Sequence, residues 1–206
     1  MSVSDQKKKQ IVVAAIAEFQ EKGYAGASMD RISERAQVSK RTVYNHFESK
    51  DALFRAINQC LADQVNSALE LRYDPDLPIR DLLVRLGWAE GDLMINPCFM
   101  GLARMVMSET IRDPDLAADM DSRMTKLNVF REFIERAASE GKLHVEDPSL
   151  AATQFLGLIK SRSFYPNIHS GRVTERPEME RIIEESVDMF LARYGVKDAE
   201  SQAAAE

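Results

Sequence analysis

Residues 23–54 read GYAGASMDRISERAQVSKRTVYNHFESKDALF. Two short helical patterns follow one another in this stretch, each with its own start signal. Ser28 offers a side-chain acceptor at the head of a helix in which Met29, Ile32 and Ala36 share one face at intervals of three and four. That helix ends near Gln37. Ser39 can cap the next one, where Val43 and Phe47 lie four apart on an inward face and Lys40, Arg41, Thr42, Tyr44 and Asn45 are left to point elsewhere. Ser49 starts a further helix, helped by Asp51 in the first turn, where the helix dipole favours negative charge. Two helices joined by about three residues, the second short and polar outside, predict a helix-turn-helix. Its second helix has the width that the major groove of DNA admits.

Working outward, Ile11, Val12, Ala15, Ile16 and Phe19 recur at helical spacing between Lys7 and Lys22, and Gly23 stops that helix. Beyond Asp51 every segment reads as helix. Residues 51–72 carry Leu53, Phe54, Ile57, Leu61, Val65 and Leu69 on one stripe, and the Asp74, Pro75, Asp76, Pro78 cluster then breaks the chain. Further helices are predicted at about 79–94, 98–111, 115–139, 149–165 and 176–194. The separators are Asn96-Pro97, Asp113-Pro114, Gly141, Asp147-Pro148 and a loop from Pro166 to Gly171. Strand-like alternation of useful length is missing, so the fold class is all-α.

Composition narrows the choices. With 206 residues and 45% hydrophobic content the chain is long enough for a sizeable core. No apolar run approaches the roughly 18 residues of a membrane span, and the start, MSVSDQKKKQ, lacks the apolar stretch of a signal peptide, so a cytoplasmic protein is expected. Cys60 and Cys98 fit no metal spacing and read as buried thiols rather than a disulfide. A net charge of −6 looks unsuited to DNA, but it is unevenly spread. Residues 1–50 hold nine basic and six acidic side chains, a net of +3, and the remainder is −9. A basic head on an acidic body is the expected division for a DNA-binding module joined to a domain with another task.

The stretch 23–54 closely resembles the TetR family of one-component bacterial regulators. The resemblance rests on Gly23-Tyr24, Ser28-Met29, Ile32, Ala36, Val38-Ser39, Thr42-Val43-Tyr44, His46-Phe47, Ser49-Lys50 and Leu53-Phe54 in fixed register. One departure stands in the turn, where the family commonly has Gly and this chain has Gln37; a non-glycine residue held left-handed there costs on the order of 1 kcal/mol. From Phe99 to Gly171 the chain is similar to the C-terminal domains of AcrR-like and AefR-like members. The resemblance implies that Lys40, Arg41 and Thr42 open a recognition helix and face base edges or nearby phosphates. It implies that Tyr44, His46, Lys50 and Ser28 grip the DNA backbone. The chemistry agrees, since Arg can take guanine O6 and N7 together and hydroxyls suit phosphate oxygens. Asn45 can read adenine if it turns to the groove. Lys7, Lys8 and Lys9 read either as a minor-groove arm or as a frayed, solvated terminus.

A single head makes few base contacts, so a homodimer on a palindromic double-stranded DNA operator is expected. The family pairs its last two long helices with their twins, here 149–165 (Leu150, Phe155, Leu156, Leu158, Ile159) and 176–194 (Ile182, Ile183, Val187, Phe190, Leu191), with Gly157 permitting close approach. The domains expected are a helix-turn-helix DNA-binding domain over 1–50 and a helical ligand-binding and dimerisation domain over 51–206. Met94, Met100, Met105, Met107, Met120 and Met124 cluster in the middle of the chain, and flexible, polarizable methionine suits either a core or a pocket for apolar ligands. Trp88, Phe99, Arg104 and Asn128 join Met105 and Met124 as candidate contacts for an apolar or amphipathic small-molecule effector. No catalytic motif, cofactor, metal site or membrane partner is expected: nucleophile elbow, phosphate loop and zinc-binding helix are all missing, and His144 and His169 fall in predicted loops. The overall expectation is a repressor released by its effector, with an activator or a ligand-independent regulator as the alternative.

Overall fold

The computed structural model describes residues 3–68, 72–113, 115, 117–118 and 126–196. Its helices are α1 (Val3–Gly26), α2 (Met29–Arg35), α3 (Lys40–His46), α4 (Lys50–Ala68), α5 (Ile79–Met94), α6 (Pro97–Thr110), α7 (Lys126–Ser139), α8 (Pro148–Ser163), α9 (Tyr165–Ser170) and α10 (Arg176–Tyr194). Among the described residues there is no strand, only an isolated bridge between Leu143 and Gly195. No described helix is long and apolar enough to cross a membrane. The chain divides into two compact units, Met1–Gln64 with Cys98–Met124, and Val65–Pro97 with Thr125–Glu206.

In the first unit, α1 buries Ile11, Val12, Ala15 and Phe19 as the periodicity requires. Gly23, at φ 70° and ψ 164°, breaks the helix there, and the backbone N–H of Ala27 closes the following turn on the Gly23 carbonyl. Tyr24 is thereby turned inward, and its ring meets Phe19 and Phe54 at centroid distances of 5.4 and 5.1 Å, spacings typical of favourable aromatic pairs. One buried group in α1 has no counterpart in the apolar pattern. Glu18 is 1% exposed and accepts from Arg31 Nε at 2.5 Å and Arg35 Nη2 at 3.4 Å, which ties α1 to α2. A buried carboxylate without such partners would be costly, so the two arginines are part of the fold. Lys7, Lys8 and Lys9 lie in the first turns of α1, which starts at Val3, and all three are exposed.

Ser28 and Ser39 cap α2 and α3 as expected, accepting from the backbone N–H of Arg31 at 3.3 Å and of Thr42 at 3.1 Å. The turn between them holds Gln37 at φ 54°, the single non-glycine residue with positive φ among those described. α6 passes α1 closely at Gly101, where an added Cβ would lie 3.1 Å from Gln20 Nε2.

The second unit is built on α5, α8 and α10. Gly87 and Gly91 let α5 press against α10: a Cβ on either would come within 2.8 or 2.9 Å of Ile183 side-chain atoms. Phe130, Phe155, Phe190 and Tyr194 form a chain of ring contacts between 4.8 and 6.2 Å through the interior. Glu90 is fully buried, with Lys160 Nζ 3.8 Å away. The segment before α5 is fastened by Tyr73, whose ring meets Phe133 at 4.9 Å and lies under the Arg136 guanidinium at 4.4 Å. Its hydroxyl donates to Glu140 at 2.8 Å.

Two expectations need correction. The loop from Pro166 to Gly171 is largely helical, because Pro166 occupies the first turn of α9, where its missing N–H leaves no bond unmade; Gly171 then ends the helix at φ 76°. Pro97 and Pro148 begin helices for the same reason, and Asp147 caps α8 by accepting from Ser149 and Leu150 N–H at 2.9 and 3.0 Å. Cys98, expected to be buried, is exposed in the first turn of α6, and Cys60 is half-buried.

Two measurements check this packing. Gln37→Gly is expected to stabilise the protein by up to about 0.5 kcal/mol, the roughly 1 kcal/mol of left-handed strain relieved less about 0.4–1 kcal/mol of entropy returned to the unfolded chain, and to raise Tm by about a degree. A Tm lowered by several degrees would show the turn to be unstrained. Burial, then the hydrogen bond to Glu140, pushes the Tyr73 phenol from its ordinary 10.0 up to about 12. The fold favours the neutral phenol, so its contribution is complete below pH 10 and lost as the pH climbs to about 12. Subtracting the alkaline absorbance titration of Tyr73→Phe from that of the wild type should isolate a tyrosinate midpoint near 12, and a midpoint near 10 contradicts the packing.

Candidate DNA interface and effector residues

The recognition helix is oriented by what it hides. Val43 is 0% exposed and Phe47 5%, and anchoring these two positions turns Lys40, Arg41, Tyr44 and Asn45 to solvent. Tyr44 is 51% exposed despite its aromatic ring, which places an amphipathic side chain at the surface with no core role. His46 is half-buried at the end of α3. Thr42 is half-buried, its hydroxyl 2.8 Å from that of Ser39, so the cap and the first turn share one hydroxyl pair. Ser28 is half-buried at the head of α2 with its Oγ engaged in the cap.

The three cations nominated for DNA differ in their surroundings. Arg41 is exposed and makes no ion pair among the described residues. Lys40 Nζ donates to Asp30 Oδ2 at 2.6 Å, a bond that raises the lysine pKa and links the first turns of α2 and α3. Lys50 is turned back onto the head. Its ammonium donates to the Tyr24 carbonyl at 2.7 Å and lies 4.3 Å from the Tyr24 ring centroid, while the Tyr24 hydroxyl donates to Asp51. Lys50 therefore braces the Gly23 break as well as standing beside the interface. Asp30 is the neighbour of the second helix that apolar periodicity could not reveal; its partner lies ten positions away and only the helix-turn-helix geometry brings the two together.

The residues nominated for an effector are distributed over both units. Phe99 and Met105 are buried and Arg104 half-buried on α6 in the first unit. Trp88 on α5 and Asn128 on α7 belong to the second unit. Trp88 is half-buried under the Arg176 guanidinium, 4.5 Å from its centroid, and Arg176 also pairs with Asp92 at 3.1 Å. Asn128 is exposed. Met94 and Met100 are core, whereas Met120 and Met124 lie outside the described residues. Most of the side chains nominated for dimerisation are also core within one subunit: Phe155, Leu156, Ile159, Ile182, Ile183, Val187 and Phe190 are all buried. The faces of α8 and α10 that remain uncovered carry Leu150 at 51% and Met189 at 61% exposure, with Gly157 open to solvent. Gln154, Gly157, Leu158, Ser161, Met189 and Arg193 line a groove between them.

Asn58 escaped the sequence reading. It sits on the inward stripe of α4 at 0% exposure, and neither atom of its side-chain amide has a hydrogen-bond partner among the described residues. Nothing in the apolar pattern signals it, since one amide in a long amphipathic helix leaves the periodicity intact.

An N-terminal helix-turn-helix with a solvent-facing, hydroxyl-rich and cationic second helix defines a DNA-binding regulator. Comparison with known proteins agrees. The family profile for bacterial regulatory proteins of the tetR family matches residues 11–57, and that for the C-terminal domain of AefR-like transcriptional repressors matches residues 81–196. The chain belongs to the TetR family of transcriptional regulators. A solved TetR family transcriptional regulator from Pseudomonas syringae pv. tomato str. DC3000 is 37% identical, with a TM-score of 0.80 over 94% of this chain and 99% of that one. The flavonoid-responsive regulator FrrA is 26% identical, with a TM-score of 0.74 over 94% of this chain and 100% of FrrA. The HTH-type transcriptional activator FasR of Mycolicibacterium smegmatis is 40% identical over 65 residues, 32% of this chain and 30% of FasR. The match thus spans less than a third of that curated relative. The family and these relatives are regulators of transcription rather than enzymes.

Replacing Asn58 by Leu, which is similar in shape and needs no partner, is expected to stabilise the protein by about 1 kcal/mol or more. Chemical denaturation reads this directly. A lower midpoint would mean that the amide is paired in solution.

Proposed function

We propose that this protein is a sequence-specific repressor that binds a palindromic double-stranded DNA operator as a homodimer and leaves it when a small molecule occupies its body. In this reading residues 1–50 are the DNA-binding head and 51–206 the ligand-binding and dimerisation domain, working in the cytoplasm. The carrying observation is the burial of Val43 and Phe47, which leaves the opposite side of α3 to the solvent and supports its assignment to the major groove. Arg41, with no competing carboxylate among the described residues, is the principal base-reading residue. Lys40 and Thr42 stand beside it; Ser28, Tyr44, His46 and Lys50 hold phosphates.

Dimerisation is assigned to the uncovered faces of α8 and α10, where Leu150, Leu158 and Met189 supply apolar area and Gly157 allows helices to approach. An apolar or amphipathic effector is assigned to the helical body, with Trp88, Phe99, Arg104, Met105, Met124 and Asn128 as candidate contacts. The AefR-like match supports a repressor, and FrrA, named for its response to flavonoids, makes that class the first to test. α4 runs from the head into the body along one continuous helix and is the element through which release would pass. By linkage, an effector that prefers the DNA-free state lowers operator affinity by the factor it gains, commonly about 5- to 150-fold. FasR, named as an activator, favours the second reading, in which the same head recruits rather than blocks transcription.

Selection of bound duplexes from a random pool tests the core of the proposal. A palindromic site should emerge, and Arg41→Ala should relax its base preference at a cost of about 1–3 kcal/mol, while Lys50→Ala should weaken all sequences alike with a shallower salt slope. Unchanged binding in both variants would remove the site assignment. A flavonoid that binds the protein without changing its operator affinity would reject the release mechanism.

A further inference from the structure

We propose that Asp30 and Lys40 act as one unit that reads a C·G base pair, and that Asp30 is a specificity-determining residue which also suppresses sequence-independent binding. The inference rests on the reading of α3 as the recognition helix and adds a residue from outside that helix.

Lys22–Glu21 and Arg35–Glu21 are also exposed ion pairs of the head, but among the described residues only Lys40–Asp30 includes a residue of the recognition helix. In the Glu18 cluster the carboxylate is 1% exposed and holds α1 to α2 from within. Lys40 Nζ and Asp30 Oδ2 are 2.6 Å apart with their side chains 60% and 53% exposed. Exposed pairs of this kind contribute little to stability, so fixing the fold is a poor account of the carboxylate's placement. Its position on the rim of the recognition surface has a larger consequence for DNA. A lysine already neutralised within the protein releases fewer counterions at a phosphate, and a carboxylate within a Debye length of the duplex is repelled by every phosphate it meets. Both effects penalise all sequences equally unless a base edge repays them.

One kind of base pair does so directly. In the major groove guanine presents two acceptors, O6 and N7, and its cytosine presents the N4 amino donor beside them. An ammonium and a carboxylate held side by side match that order of acceptor and donor, and neither charge has to leave the other. Arg41, which lacks such a partner among the described residues, carries no comparable penalty and binds phosphate or guanine freely.

The test is duplex selection from a random pool by full-length wild type, Asp30→Ala, Asp30→Asn and Lys40→Ala. It is followed by anisotropy titration of the wild-type-selected duplex and a shuffled duplex between 50 and 200 mM salt. Wild type should enrich one C·G pair per half-site that all three variants lose, with discrimination there falling about tenfold or more. Both Asp30 variants should bind the shuffled duplex several-fold more tightly, with a salt slope steeper by about 1, because one more cation then reaches the phosphates. An unchanged base preference in the Asp30 variants overturns the proposal. So does a uniform loss of affinity for both duplexes, which would make Asp30 a structural staple. Asp30→Asn keeps the shape of the side chain and decides the matter if the alanine variant fails to fold. A wild type that enriches no sequence instead defeats the DNA-binding reading itself, and this inference with it.

Discussion

The DNA-binding surface depends on the burial of two side chains, one inside a helix of seven residues and one at its C-cap. α3 is too short to be stable by itself, so its orientation comes from Val43 and Phe47 locking into the head. Four residues apart, they fix one face, and every other assignment on α3 follows by rotation around the axis. The Ser39 cap sets where the helix starts, and hence which residues occupy its exposed first turn. Loss of the Phe47 anchor would free the helix to turn and would scatter Lys40, Arg41 and Tyr44 at once.

Around that anchor the head is tightened by polar ties that apolar patterning does not contain. Glu18 reaches two arginines on α2, Lys50 reaches back to Tyr24, and Tyr24 reaches Asp51. The Lys50 and Tyr24 contacts brace the Gly23 break, the place where α1 departs from helical geometry. The cost of Gln37 in the turn is small beside the packing it connects. A family in which glycine is common at that position can therefore lose it without losing the fold.

The acidic second unit follows different rules. Its α5 and α10 touch at glycines, its interior is a run of phenylalanine rings, and its surface leaves α8 and α10 partly bare. Segregating acidic charge into this part of the chain lets a protein of net charge −6 still present a cationic head to DNA. The side chains that the dimer reading singled out mostly serve this interior, and the face left over for a partner is lined by neighbours one helical step away. A stripe of apolar residues on a helix cannot say which of two flanking surfaces it will cover.

Read alone, the sequence determined the all-α class, the caps at Ser28, Ser39 and Ser49, the break at Gly23, and the inward face of α3, because each depends on residues close together in the chain. It also marks the starts of α5, α6, α8 and α10 to within a residue or so, whereas Pro166, whose local signal suits a loop, stands in the first turn of α9. Only the tertiary structure decided which polar groups would meet: Lys40 with Asp30, Lys50 with the Tyr24 carbonyl, Arg176 with Trp88, and Asn58 with no partner among the described residues. Those outcomes turn on distances between groups on different helices or across a turn, and such distances are set by packing rather than by spacing along the chain.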